Sequence, residues 1–186
     1  MESTKKAQLP LREDVPAQYR WKLELMYEKD DLWEKDYAET ENLLPQVKKL
    51  QGSLGESESF LLEALQLQDK IGQKIEKLYA YAKMRHDEDT TKEVYQGFLD
   101  IALALATKAE ASLSFITPEI LAIAENKITK YLDEIGELKL YQHFLDEINR
   151  RRKHFLSERE EEIISLAGEI IESPEKVYSM LSTADM

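Results

Sequence analysis

From Leu61 to Leu113 apolar residues recur at helical spacing, and the recurrence is interrupted once. Leu61, Leu65, Ile71, Ile75, Leu78 and Ala82 step mostly by three or four, with Ala64 and Gln68 filling one gap. Val94, Phe98, Ala102, Leu105, Ala109 and Leu113 do the same. Each set falls on one face of a 3.6-residue helix, so the pattern predicts two long amphipathic helices, about 57–84 and 90–115. The five polar residues Arg85 to Asp89 make a connection of ordinary length. Thr90 with Glu93 reads as a capping box that opens the second helix. So short a connection makes the two helices antiparallel neighbours, and the remaining helices must pack on this hairpin.

The flanking segments predict shorter elements. Residues 1–30 differ from the rest, because Pro10 and Pro16 push their predecessors toward extended backbone. Tyr19, Trp21, Leu23 and Leu25 alternate with Arg20, Lys22 and Glu24 like a strand, yet no second strand candidate exists to pair with them. The expectation is an extended or turn-rich leader (1–30) pinned by its aromatics to a helical body (31–186). Asp31 with Glu34 reads as a capping box for the next helix, which Pro45 should kink or split near Asn42 to Leu44. Gly52 to Gly55 is a loop, and Ser57 or Glu58 opens the first long helix. Beyond the hairpin, Thr117-Pro118 restarts a helix, with Thr as N-cap and Pro in the first helical position. Ile128, Leu132 and Ile135 carry a short helix that Gly136 breaks; Leu138, Tyr141, Leu145 and Ile148 carry the next. Ser157 with Glu160 forms a third box, and Ser173-Pro174 opens a last helix reaching about Leu181. The fold class is all-α, a multi-helix antiparallel bundle without a fixed-period repeat.

Charge and composition narrow the functional classes. A net charge of −12 weighs against nucleic acid, which demands a basic footprint. The one dense basic run, Arg150 to Lys153, falls where a helix ends and cations complement its dipole. The absence of cysteine removes disulfides and thiol catalysis. The start of the chain lacks the apolar core of a signal peptide, and the longest apolar run, Ile101 to Ala106, is too short to cross a bilayer. A soluble cytoplasmic protein without membrane or nucleic-acid partners is expected.

Candidate chemistry is sparse. The three histidines, His86, His143 and His154, include no pair four apart, so there is no helical His-Glu-x-x-His zinc site. The residues three before them are Lys83, Leu140 and Arg151, which excludes the Glu-x-x-His pairs of a di-iron bundle. His86-Asp87-Glu88-Asp89 could hold a hard cation, but it lacks the twelve-residue calcium-loop pattern, and Asp or Thr before a helix more often serves the turn. Neither a Gly-x-Ser-x-Gly elbow nor a phosphate-cradling glycine loop occurs. Tyr79, Tyr81 and Tyr95 suggest a ligand box, although aromatics at helical spacing are usually core. No catalytic, cofactor-binding or metal residue is assigned within the chain.

Several ordered segments resemble one family. Leu9-Pro10-Leu11-Arg12, Val15-Pro16, Tyr19 to Leu23, Tyr27 and Trp33 are similar to the start of oligoendopeptidase F. Tyr79 to Thr91, Tyr95-Gln96, Ser114 to Leu121, His154 to Ser157 with Glu160 to Glu162, and Met180 to Asp185 resemble its N-terminal helical domain. The resemblance implies a parent enzyme, a cytoplasmic zinc metallopeptidase cleaving internal bonds of short peptides. It places the zinc on the two His of His-Glu-x-x-His and a later Glu of a C-terminal catalytic domain. None of those positions is present here, so the resemblance implies the helical lobe alone, truncated before the catalytic domain. Such a lobe helps wall a channel that admits unfolded peptides, and its partners are those peptides and its own catalytic domain.

Two functional readings follow: a channel-shaping N-terminal lobe, or an autonomous acidic helical module that binds a partner protein. If a catalytic domain normally packs on the lobe, apolar side chains should stand uncovered. Candidates are Tyr95, Leu99, Ile101, Leu103 and Ala106 on the second long helix, and Val177, Tyr178 and Leu181 near the end. Self-association through one of these surfaces is the corresponding expectation.

Overall fold

The computed structural model describes residues 15–152. Two expected elements, the Ser157 box and the Ser173-Pro174 helix, lie outside the described residues, as do Leu9 to Arg12. Helix α1 (Asp30–Lys48), helix α2 (Glu58–Glu88) and helix α3 (Glu93–Leu113) form the body. Helix α4 (Ile116–Ala122) and helix α5 (Glu125–Glu134) follow. A 3-10 segment (Gly136–Tyr141) then leads into helix α6 (Gln142–Arg151). The described residues contain no β-strand, and the fold is all-α.

The hairpin forms as the periodicity predicts, with α2 and α3 packed along each other and α1 laid against both, except that Val94 is exposed and Ile75 and Leu113 are only partly buried. Its buried stripe is Leu61, Leu65, Ile71, Leu78 and Ala82 on α2, and Phe98, Ala102, Leu105 and Ala109 on α3. Trp33 of α1 is the keystone. It is fully buried, stacks on Phe98 with ring centroids 4.3 Å apart and planes 8° apart, and donates its indole N–H to Leu78 O at 2.9 Å. One side chain thus touches both helices of the hairpin.

Several helix ends differ from expectation, and tertiary contacts explain why. At α1 the N-cap residue is Lys29, and no side chain caps the helix, so Asp31 and Glu34 do not form a box. The preceding acid, Asp30, is drawn into the bundle instead, accepting from Tyr81 Oη at 2.8 Å and Tyr95 Oη at 3.5 Å. Pro45 does not split α1. It lies in the last turn, where its missing N–H removes a single ladder bond, and buried Leu43, Leu44 and Val47 hold that turn to the body. Helix α2 runs to Glu88, four residues past the expected end, and Thr90 is not a cap. Asp89 closes the turn, accepting from Thr91 N at 3.1 Å and Thr91 Oγ1 at 2.6 Å. At α4 the chain is already helical by Ile116, so Thr117 lies inside the helix and Pro118 occupies its third position. That position still lacks an intrahelical N–H partner, which is why proline is tolerated there.

Ser57 does cap α2, its Oγ accepting from Phe60 N at 3.2 Å. The loop before it turns at Gly52, whose φ of 90° favours a residue without Cβ. The Glu119 carboxylate of α4 accepts from the Gly52 and Leu54 amides at 2.5 and 3.4 Å, tying α4 to this loop. Tyr131 of α5 donates to Gly55 O at 2.9 Å, so buried Ile128 and Tyr131, rather than Leu132, anchor α5. Before α1 the chain makes two 3-10 turns, Ala17–Tyr19 and Leu23–Leu25. Leu23 and Tyr27 are buried there, whereas Tyr19 and Trp21 stand out in solvent, so among the aromatics of this stretch it is Tyr27 that pins it to the body. Among the described residues, those from Asp146 to Arg152 fall in a second unit. Within it Arg150 pairs with Glu147 at 2.6 Å and Arg152 donates to Asn149 at 2.8 Å, so the basic run serves a helix end.

Candidate functional site

The turn end of the hairpin holds a cluster of part-buried polar side chains. Arg85 sits in the last turns of α2, with its side chain only 16% exposed. Its Nε donates to Tyr81 Oη at 3.1 Å, one terminal nitrogen to Glu88 at 3.2 Å, and the other to Glu24 at 3.0 Å. The guanidinium also lies over the Tyr81 and Tyr95 rings, at 5.2 and 5.9 Å. A planar fork with five donors suits such a junction, where a lysine would supply only a point charge. Arg85 therefore joins the segment before α1 (Glu24) to α2 and, through the Tyr81–Asp30–Tyr95 bridge, to α1 and α3.

Tyr27 makes the second junction. Its ring meets Tyr81 edge-on at 5.1 Å, Lys77 Nζ stands 3.9 Å above its other face, and its hydroxyl donates to Asp36 at 2.6 Å. Lys74 of α2 pairs with both Asp36 and Glu39 of α1. Burial pushes the Tyr81 hydroxyl up to about 12, with the Asp30 hydrogen bond adding to the rise and Arg85 opposing it. Tyr27 is raised by burial and by Asp36. Burial works to raise Asp36, but its bonds from Lys74 and Tyr27 overcome it and hold the carboxyl below its ordinary value. Every one of these shifts favours the form that keeps the bonds in place at neutral pH. The network is a set of fasteners, and no group in it is poised as a nucleophile or a general base.

The sequence candidates are dispersed by this geometry. Tyr81 is fully buried and Tyr95 partly so, while Tyr79 turns outward and is 39% exposed, so the three make no common box. Asp87 binds Lys83 at 2.6 Å one turn back, and the His86 ring lies 3.3 Å from Asp87. Asp89 belongs to the turn. Among the described residues no three His, Asp or Glu side chains converge as a metal ligand set. Asp30, Asp36, Lys74 and Glu24 were not singled out by the sequence. Apart from the bond from Tyr27 to Asp36, their partners lie 35 or more residues away, and no local spacing marks them.

Exposed apolar side chains adjoin one another in two places. On α3, Val94, Ile101 and Leu103 are 54%, 41% and 47% exposed, while Tyr95, Leu99 and Ala106 are half-buried. Beside α1, Leu25 and Leu32 edge an open depression of about 460 Å³. No helix among the described residues is long and apolar enough to cross a membrane.

Known proteins share this helical body. A family model described as Oligopeptidase F matches residues 119–186. Oligopeptidase PepF of Bacillus subtilis is 40% identical over 185 residues, covering the whole of this chain and 28% of PepF. Group B oligopeptidase PepB of Streptococcus agalactiae is 34% identical over 94% of this chain and 29% of its own length. The crystal structure of oligoendopeptidase-F from Enterococcus faecium superposes with a TM-score of 0.63 at 30% identity, over 84% of this chain and 30% of that one. A putative peptidase from Chlamydophila abortus gives 0.76 at 26% identity, over 94% of this chain. The chain spans less than a third of the length of these relatives. It belongs to the oligopeptidase F family and corresponds to the N-terminal helical part of that family.

Proposed function

We propose that this chain is the N-terminal lobe of a cytoplasmic zinc oligoendopeptidase, and that it shapes and gates the channel through which short peptides reach a catalytic domain. The observation that carries the reading is the likeness itself: the whole chain aligns with 28% of a protein named as an oligopeptidase. The described residues do not fit a zinc site, and His86, the one histidine near the acidic turn, neighbours Asp87 rather than a ligand set. In the proposal the metal and its activated water belong to the catalytic domain of the parent enzyme, and no step of hydrolysis is assigned here.

What the chain contributes is a stiff wall. Trp33 and Arg85 lock α1, α2 and α3 into one body, so a channel face built on them holds its shape while a flexible peptide is threaded past it. Rigid placement of the substrate by such a scaffold is how non-reacting parts of an enzyme lower the barrier.

The test is a chimera of the Bacillus subtilis PepF in which this chain replaces the matching segment. The chimera is expected to cleave a quenched fluorescent peptide and to leave a folded protein intact. Removal of the segment is expected to abolish that discrimination or the activity. A PepF without the segment that keeps both full activity and size discrimination would overturn the reading and favour an autonomous interaction module.

A further inference from the structure

Two glycines inside the hairpin have no explanation among the described residues. Gly72 lies in the middle of α2 and Gly97 in the first half of α3. Neither has a positive φ, and a Cβ on either would meet nothing within 4 Å. Glycine in a helix interior is destabilising relative to alanine, because it gives up more backbone freedom on folding. Conformation and packing inside this chain would both accept alanine.

Around Gly97 the surface is apolar. Val94, Gly97, Ile101 and Ala104 follow one another at steps of three and four, so they share one face of α3. That face is open along this length, with Val94 and Ile101 exposed as given above and Gly97 and Ala104 exposed beside them. Lys108, next on the same face, is held by Glu41 at 2.9 Å, which marks where α1 borders the stripe. A missing side chain between two exposed branched aliphatics makes a notch. Glycine has a use at such a place when another backbone must approach closely.

We propose that the Val94–Gly97–Ile101–Ala104 face of α3 is the docking surface for the remaining polypeptide of a full-length family member, with Gly97 as the point of closest approach. The inference rests on the proposed function and adds to it the surface and the residue. The occupant follows from length: relatives that match this chain throughout devote more than two-thirds of their residues to something else. Interfaces between domains of one chain typically bury about 600–1,500 Å², and neighbouring exposed apolar side chains on one helix face mark where such an interface forms.

The same PepF chimera and the 186-residue chain test it together, each with Gly97 intact, Gly97→Ala and Gly97→Leu. Gly97→Ala is expected to raise the melting temperature of the chain alone and to lower that of the chimera, a pairing that a merely structural glycine would not produce. Amides of residues 97–104 should exchange at least tenfold more slowly in the chimera than in the chain alone. Gly97→Leu should remove that protection. Equal stabilisation of chain and chimera by Gly97→Ala, with no added protection, overturns the docking surface. So does a dimer of the chain alone that Gly97→Leu dissociates while the chimera is unaffected, because the occupant is then a second copy. An inactive chimera that still shows the protection and its loss would sink the channel reading and leave the docking surface standing.

Discussion

Replacing Trp33 tests the fold at its most connected point. The indole is fully buried, stacked on Phe98 at 4.3 Å and near-parallel to it, and bonded to Leu78 O at 2.9 Å. Truncation of a buried aromatic to alanine costs about 3–5 kcal/mol through lost transfer energy and the cavity left behind. Trp33→Phe keeps the stack and most of the apolar area but loses the donor. A net hydrogen bond is worth about 0.5–1.5 kcal/mol, and the smaller ring leaves some void, so a loss of about 1–2 kcal/mol is expected. The Leu78 carbonyl stays in its helix, which keeps the penalty for the lost partner small. With a urea slope of about 2 kcal/mol/M, Trp33→Ala should lower the unfolding midpoint by about 2 M and Trp33→Phe by less than half of that. A double-mutant cycle with Phe98→Ala should return a coupling of about 0.5–1.5 kcal/mol for the stacked pair. An alanine variant within about 1 kcal/mol of wild type, or a phenylalanine variant as damaged as the alanine one, would refute the keystone role.

Two further perturbations probe the fasteners. Asp36 has its pKa lowered in the folded state, so its contribution is present above the unfolded carboxyl value of about 3.9 and is lost as pH falls through the folded value. Asp36→Asn should therefore be less stable at pH 7 and show a shallower acid limb below about pH 4, as followed by thermal melts across a pH series; an unchanged acid limb contradicts the pairing with Lys74 and Tyr27. Ser57→Ala removes the α2 cap and should cost about 0.5–2 kcal/mol in urea unfolding, with Ser57→Gly costing only a few tenths. Equal losses for both would show that the hydroxyl does not cap.

The hairpin was legible because its signal is long and periodic, and the Gly52 loop and Ser57 start were legible because their chemistry is local. The failures at Asp31, Thr90 and Thr117 share a cause. A cap is a local preference worth about a kilocalorie, and each was outweighed by contacts that the capping pattern does not show. Asp30 is claimed by tyrosines of α2 and α3. The last turn of α2 is stabilised by the Lys83–Asp87 pair and by Arg85 reaching Glu24, 61 residues away. Burial of Ile116 sets where α4 begins. The Arg85 and Tyr27 junctions were invisible too, since a bond between side chains of different elements leaves no periodic trace. The resemblance to oligoendopeptidase F, by contrast, rested on ordered segments along the chain, and the relatives match almost all of it.

The central claim is that this lobe carries no hydrolytic machinery of its own, and the most direct measurement is made on the purified 186-residue chain alone. After dialysis its zinc content is determined, and its cleavage of a quenched fluorescent peptide is followed with and without a chelator. The account predicts substoichiometric zinc and no turnover above buffer. One zinc per chain, with turnover that the chelator abolishes, would contradict it.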